Sequence, residues 1–199
     1  MPVVISLLLF FFGTKALAEC PRGRTPIQVQ SGSMNFKPCL EIKSASFTKL
    51  DLVGVVANDS FLQNILFKEV IFRQNQFSNA EFSLVDIEKV KARNSNFAGS
   101  LWQGGSIKES QILESEFTKS ELKGVRWIHV DATNSSFHNS RWSQCYLEDV
   151  NLEDTDLRGA QFERCLFVNV KLHGALFNKA TILPVSEAYR AEQGMVFKP

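Results

Sequence analysis

The chain has 199 residues, 44% of them hydrophobic, and a formal net charge of +1. This apolar content is enough to bury a core and too high for an intrinsically disordered chain, so we expect one folded domain. A charge near zero argues against a protein that binds nucleic acid through a basic surface or imitates it with an acidic one.

The first eighteen residues predict an export signal. An apolar run from Val3 to Phe12 is followed by Ala16-Leu17-Ala18, the small-x-small pattern that signal peptidase reads. The run has about half the length of a bilayer span, so we expect cleavage after Ala18 and no stable membrane span. The mature chain would lie in the periplasm or another extracytoplasmic compartment. Lipidation of Cys20 is a less favoured alternative, because the charged Glu19 precedes it.

If the chain is exported, its four cysteines lie in an oxidising compartment, which favours disulfides. Cys20 and Cys39 bracket a stretch rich in Gly, Pro and Ser within residues 19–44, which we expect to cap the N-terminal end of the domain. A Cys20–Cys39 disulfide would hold this cap in place.

Residues 45–183 repeat with a period of five, which is the period of neither a helix nor a strand. Every fifth residue from Phe47 to Ile182 is apolar, and chance would produce such a frame on the order of once in 10¹⁰ trials. The residue two positions earlier is almost always small, as at Ser100, Ser120 and Ser140. The residue two positions later is often Gly, Asn or Asp, which tolerate the positive φ of a tight turn.

A period of twenty is superimposed on the period of five, since similar residues recur at every fourth small position. Four units therefore form one square coil, and about seven coils stack with a spacing of about 4.8 Å. Equivalent residues of successive coils lie above one another. One predicted core stack contains Phe77, Phe97, Phe117, Phe137 and Phe177.

Units such as Ala160-Gln161-Phe162-Glu163-Arg164 resemble the pentapeptide-repeat proteins, whose consensus is A-(D/N)-L-x-x. The resemblance covers residues 45–183 and implies an all-β fold, the right-handed quadrilateral β-helix. Some members of that family protect DNA gyrase by imitating duplex DNA with an acidic surface. This chain departs from them in its export signal and in its charge, and we transfer no functional residue from them.

Residues 184–199 are expected to cap the C-terminal end with a short helix that begins near Ser186 and stops at Gly194. Val185, Ala188 and Tyr189 would face the last coil. A dimerising tail is the alternative interpretation. Within the repeats, Cys145 and Cys165 occupy small inward positions one coil apart, and we expect two buried thiols because parallel side chains fit disulfide geometry poorly.

Catalytic chemistry is weakly indicated. The histidines His129, His138 and His173 fall on different sides of the square, so no two of them can share a metal or a nucleophile. A regular pattern of charges at Lys49, Lys68-Glu69, Glu88-Lys89 and Lys108-Glu109 predicts a solvated ladder of ion pairs. The outward acids of the late coils are more typical of a charge network than of a calcium or acid–base site; they are Glu148, Asp149, Glu153, Asp154 and Asp156.

Outward-facing apolar residues give the best indication of function. Phe61, Leu84 and Leu101 point outward on one side of neighbouring coils and form a candidate partner surface, unless residues 27–29 lie over them. We therefore expect an exported, non-enzymatic protein without cofactor or metal, acting as a rigid protein-binding or scaffolding surface, with a protein partner or self-association. The alternatives are a hydrolytic or metal-dependent enzyme using the late-coil acids, and a topoisomerase-binding DNA mimic if the chain is not exported.

Overall fold

The structure is a computed structural model that describes residues 38–199. The predicted signal segment 1–18, most of the predicted cap 19–44, and Cys20 lie outside the described residues. Cys39 is disulfide-bonded, and its predicted pairing with Cys20 stays a prediction.

The described chain winds into a parallel β-solenoid with four sides to each coil. Residues pair in register with those twenty positions later, as Leu62 does with Phe82 and Phe82 with Trp102. The first side is formed by the first half of β1 (Glu41–Thr48), the first half of β3 (Phe61–Lys68), β5 (Glu81–Ser83), β8 (Leu101–Gln103), β11 (Glu121–Lys123), β13 (Arg141–Ser143) and β15 (Gln161–Glu163). The second side consists of the second halves of β1 and β3, with β6 (Asp86–Glu88), β9 (Ser106–Lys108), β12 (Arg126–Ile128), β14 (Tyr146–Glu148) and β16 (Leu166–Val168).

The other two sides have shorter strands. The third contains β2 (Asp51–Val53), β4 (Ile71–Arg73), β7 (Lys91–Arg93) and β10 (Gln111–Leu113), and continues as isolated bridges in the later coils. The fourth is built from isolated bridges up to β17 (Leu176–Phe177), which pairs with β18 (Val196–Phe197). The short helix α1 (Glu187–Glu192) precedes β18. At six residues, it is the longest described helix and cannot span a membrane.

The predicted period of five is confirmed, and it begins one side earlier than expected, at the buried Ile42. Positions spaced by five from Ile42 to Phe177 number 28, which gives seven complete coils. Every fifth residue from Cys39 to Gly174 has a positive φ, so the predicted corners are also confirmed. Most of these residues are not glycine, and each non-glycine corner costs about 1 to 2 kcal/mol of backbone energy that packing must offset.

Polar residues at the small inward sites bond to the coil before them. The Oγ of Ser60 accepts the backbone N–H of Leu40 at 3.0 Å, and the Oδ1 of Asn75 accepts that of Val55 at 2.8 Å. Buried polar groups are tolerated when they are paired in this way. These serines and asparagines therefore join coils as well as leaving space for the large side chains.

The predicted phenylalanine stack is present in four consecutive coils. Ring centroids are 5.4 Å apart between Phe77 and Phe97, 4.8 Å between Phe97 and Phe117, and 5.3 Å between Phe117 and Phe137. Phe177 differs from the expectation, because it is half-buried and meets Phe197 edge to face at 5.5 Å. The stack of rings ends at Phe137, because Leu157 takes the equivalent position in the sixth coil.

The frame slips by one residue after Phe177. Ile182, which the period of five places inside, is 49% exposed, whereas Leu183 is 8% exposed and takes the inward position. The cause is a longer corner in which Thr181 occupies the small site. Its Oγ1 donates to the carbonyl of Leu157 at 2.9 Å and accepts the N–H of Gly159 at 3.1 Å.

The predicted capping helix is confirmed, and it replaces two sides of an eighth coil. Ser186 caps its start by accepting the N–H of Tyr189 at 3.1 Å, and Gly194 follows its end with a φ of 64°. The chain then regains the register of twenty, since Leu176 pairs with Val196 and Phe177 with Phe197. Val185 and Tyr189 pack on the core, but Ala188 is exposed, so its predicted inward orientation is wrong.

The prediction of two buried thiols at Cys145 and Cys165 is also wrong, because they form a disulfide between the sixth and seventh coils. Parallel register brings their Cα atoms to 4.5 Å, within the range that disulfides bridge. The two side chains turn toward each other instead of running parallel.

Candidate protein-binding surface

The three residues of the predicted partner surface lie close to one another but do not form one continuous patch. Phe61 and Leu101 are half-buried on the first side, two coils apart, and Glu81 lies in register between them. The Nζ of Lys43 lies 5.7 Å from the centre of the Phe61 ring and partly covers it. Phe61 is therefore the least available of the three side chains.

Leu84 is the most exposed of the three, at 57%. It occupies the corner between the first and second sides with a φ of 52°, a conformation that branched and bulky residues seldom adopt. The next coil has Gly104 at the same corner, and a Cβ on Gly104 would come within 3.0 Å of the Cδ2 of Leu84. The glycine therefore leaves room for the leucine side chain to lie along the corner.

An irregular backbone follows directly. Within residues 38–193, Gly105 is the one residue with positive φ outside the register of five. A Cβ at this position would collide with the carbonyl oxygen of Val85 in the coil below, so only glycine fits. Ser106 still donates to Val85, and Arg126 to Gly105, each at 3.2 Å, so the hydrogen bonds between coils continue through this irregular backbone. Backbone outliers of this kind cluster at functional sites.

The sequence contains a signal for this irregularity. Gly105 is the one glycine at a small inward site between residues 45 and 180, where Ser, Ala and Val otherwise predominate. We call the surface formed by Leu84, Leu101, Gly104, Gly105, Gly124, Lys123 and Arg126 the Leu84 corner.

Two cations complete this surface. Lys123 and Arg126 lie on either side of Gly124, and neither forms an ion pair with any residue in the range 38–199. The Arg126 guanidinium lies 5.4 Å from the centre of the Tyr146 ring, which holds it by a cation–π contact. The Tyr146 hydroxyl donates to Glu148 at 3.1 Å, which raises the pKa of Tyr146.

The next corner, between the second and third sides, has the predicted ladder of opposite charges. Lys68 pairs with Glu88 at 2.9 Å, and their hydrogen bond raises the pKa of Lys68 and lowers that of Glu88. Lys89 lies 3.6 Å from Glu109 in the same series. These charges neutralise one another and contribute little to recognition.

The late-coil acids do not converge. Asp149 lies 3.2 Å from His129 and accepts from Asn169 at 3.1 Å, while Glu148 bonds to Tyr146. Glu153 lies on the third side, Asp154 at the following corner, and Asp156 on the fourth side. No three metal-ligating side chains come together in the described part of the chain.

Asp156 has its own partner, Arg158, which donates to it from Nε at 2.9 Å and from Nη2 at 2.7 Å. Burial alone would raise the pKa of Asp156, but the hydrogen bonds from Arg158 outweigh it and the pKa lies below its ordinary value. His138 lies 3.9 Å from the same carboxylate, and His173 contacts the carbonyl of Gln193 at 3.2 Å. The three histidines are therefore apart, each with a local contact.

A shallow groove of about 240 Å³ separates the last coil from the C-terminal cap. It is lined by Phe167, Asn169, Val170, Val185 and Tyr189. The Tyr189 hydroxyl donates to the carbonyl of Val170 at 3.0 Å across the groove, so the groove is part of the contact that attaches the cap.

A stack of square coils with five residues to each side defines a parallel β-solenoid built from pentapeptide units. Residues 145–182 match the family model for pentapeptide repeats in eight copies. The chain therefore contains pentapeptide repeats over residues 145–182, and the coils before them continue the same frame. No curated protein matches it.

Several solved structures are similar to the chain. Full-length QnrB1, a plasmid-mediated fluoroquinolone resistance protein, is 14% identical, with 77% of this chain and 93% of that chain covered and a TM-score of 0.37. HetL from the cyanobacterium Nostoc sp. strain PCC 7120, involved in heterocyst differentiation regulation, is 12% identical, with 77% and 95% covered and a TM-score of 0.31. A pentapeptide-repeat protein of the Arabidopsis thaliana thylakoid lumen is 20% identical, with 60% and 70% covered and a TM-score of 0.27.

Proposed function

We propose that this pentapeptide-repeat protein is exported and works without catalysis as a rigid surface that binds another protein in the cell envelope. The observation that carries the proposal is the Leu84 corner, where the exposed Leu84 lies beside the half-buried Leu101 and an irregular glycine backbone. Exposed apolar groups of this kind mark partner contacts when they lie together.

Rigidity supports a binding role. Each coil is hydrogen-bonded to the next along its sides, and the corners repeat one conformation from Cys39 to Gly174. A surface already held in its bound conformation pays little entropy on association. Leu84 and Leu101 belong to adjacent coils of this frame and keep fixed positions relative to each other.

The cysteines support export. The Cys145–Cys165 disulfide joins two coils, and Cys39 is also disulfide-bonded. Disulfides persist in oxidising compartments and are rare in the cytosol. Mass spectrometry of the purified protein under non-reducing conditions tests this part of the proposal. We expect a chain that begins at Glu19, and an uncleaved chain in the cytosol would contradict it.

The late-coil acids support an enzyme less well. Glu148, Asp149 and Asp156 each contact a separate neighbour, and Glu153 and Asp154 lie on a different part of the square. A general acid and base must both reach one reacting group. These carboxylates instead point to different solvent-facing surfaces.

The test of binding is crosslinking in intact cells with a C-terminal tag, followed by mass spectrometry of the captured proteins. We expect one partner in near-equal amount, and we expect Leu84→Ser combined with Leu101→Ser to remove it. Val53→Ser is the matched control, because Val53 is 59% exposed but lies on the third side.

If the variant with both leucines replaced still captures the partner, the binding surface does not lie at the Leu84 corner. Loss in the Val53 control as well would indicate a general folding defect, which circular dichroism of the three purified proteins would reveal. If only this protein is recovered, the surface binds a second copy of the chain and not a different protein.

A further inference from the structure

We infer that the Leu84 corner binds an extended, acidic segment of a protein, with an apolar side chain against Leu84 and a carboxylate between Lys123 and Arg126. The inference rests on the proposed function, since it specifies the chemistry of the partner at that surface.

The charges of the Leu84 corner favour an anionic partner. The neighbouring corner carries alternating signs that pair along the solenoid, as between Lys68 and Glu88 at 2.9 Å. At the Leu84 corner, Lys123 and Arg126 have no ion pair within residues 38–199, and Arg126 is held in place over Tyr146. Two unpaired, neighbouring cations of which one is already oriented complement a carboxylate, because an oriented arginine loses little entropy when it binds.

The same corner also exposes apolar side chains. Leu84 is 57% exposed, and Leu101 is half-buried on the adjoining side in the next coil. A free carboxylate or phosphate would leave these leucines in water, whereas a peptide with an apolar side chain would cover them. The combination therefore favours a protein segment over a small anion.

The distance between the apolar contact and the charged contact predicts the sequence pattern of the bound segment. Leu84 lies in the third coil, and Lys123 and Arg126 lie in the fifth, so the two contacts are separated along the solenoid by about 10 Å at about 4.8 Å per coil. An extended chain advances about 3.3 Å per residue, and side chains on the same face lie two or four residues apart, at about 7 or 13 Å. The corner therefore selects an apolar residue and an acidic residue two or four positions apart. Gly104, at this corner in the coil between the two contacts, carries no side chain.

The chain's own N-terminal residues complement the charge of this corner less well than an acidic segment does. Residues 19–37 contain Arg22, Arg24 and Lys37 but only one acid, Glu19. A second copy of this corner would present the same cations and would be repelled. Complementarity thus favours a different, acidic protein.

To test this inference, short random peptides displayed on phage are selected for binding to the immobilised mature protein. We expect enrichment of sequences with an apolar residue and Asp or Glu two or four positions apart, and binding that weakens as salt is added. In Lys123→Glu with Arg126→Glu, synthetic peptides of the enriched sequence should bind about tenfold more weakly or worse. Lys91→Glu with Lys171→Glu, on the third side, is the charge-matched control and should bind normally.

No enrichment, enrichment without acidic residues, or unchanged binding by the Lys123 and Arg126 variant would overturn the inference. Peptides that need Leu84 but not the two cations would overturn the acidic chemistry and leave the proposed binding surface in place. Circular dichroism of each variant ensures that a lost interaction is not a lost fold.

Discussion

Trp102 donates a hydrogen bond from its Nε1 to the Oγ of Ser100, two residues earlier, at 2.8 Å. Trp142 bonds to Ser140 in the same way at 3.0 Å, two coils further along. The small inward site therefore does more than leave space for the large neighbour, because its hydroxyl also satisfies the polar atom of a buried indole.

Trp127 lacks this arrangement, since Val125 stands two residues before it, and its buried Nε1 has no hydrogen-bond partner in the described range. We predict that Val125→Ser supplies the missing acceptor. Val130→Ser removes the same apolar atoms without that gain, so Val125→Ser should be about 1 kcal/mol less destabilising in chemical denaturation. Equal losses would show that the serine does not reach the indole.

Phe117 tests the aromatic core, because it is fully buried and stacks on both Phe97 and Phe137. We predict that Phe117→Ala lowers the free energy of unfolding by about 3 to 5 kcal/mol. Phe61→Ala, at a half-buried outward position, should cost clearly less. A loss below about 1 kcal/mol for Phe117→Ala would mean that the ring is not in the packed core.

The Cys145–Cys165 disulfide closes a loop of twenty residues between coils. Replacing both cysteines by serine should lower stability by about 3 kcal/mol through the lost crosslink. Serine fits a small inward site, as Ser120 and Ser140 do at the small site five residues earlier in each coil. Urea denaturation of the double variant, beside the parent protein with and without reductant, measures this loss. If reductant leaves the parent unchanged and the double variant is as stable, the bond contributes nothing.

Gly105 should not tolerate a side chain. Gly105→Ala places a Cβ against the backbone carbonyl of Val85, in addition to the cost of its φ of 80°. Gly54→Ala is the control, because Gly54 has a similar φ of 63° but open space around it, and should cost about 1 kcal/mol. Thermal unfolding should show a distinctly larger loss for Gly105→Ala, and equal losses would place the glycine's role in its φ alone.

Asp156 should make the protein sensitive to acid. Its pKa is lowered in the folded state from the ordinary 3.8, so its ion pair with Arg158 stabilises the protein above that pH and the contribution is lost as pH falls below it. Asp156→Asn should lower stability at neutral pH and flatten the pH dependence of unfolding below about pH 4. Parallel profiles for parent and variant would contradict this role.

Much of the fold follows from local pattern. The inward positions from Ile42 to Phe177, the positive φ of the corners and the helix cap at Ser186 all depend on residues within a few positions of one another. The candidate surface was only partly predictable. Leu84 and Leu101 were recognised as outward apolar residues, but the unpaired state of Lys123 and Arg126 depends on which charges lie in the neighbouring coils.

The period of five, the square coil and the capped end can be predicted from the amino-acid sequence, because side-chain size and turn preference act along the chain and repeat with it. The bond between Cys145 and Cys165, the inward position of Leu183 in place of Ile182, and the irregular backbone at Gly105 emerge only in the folded chain. Each of these depends on the contact between one coil and the next, over distances of a few ångströms that spacing in the sequence does not specify.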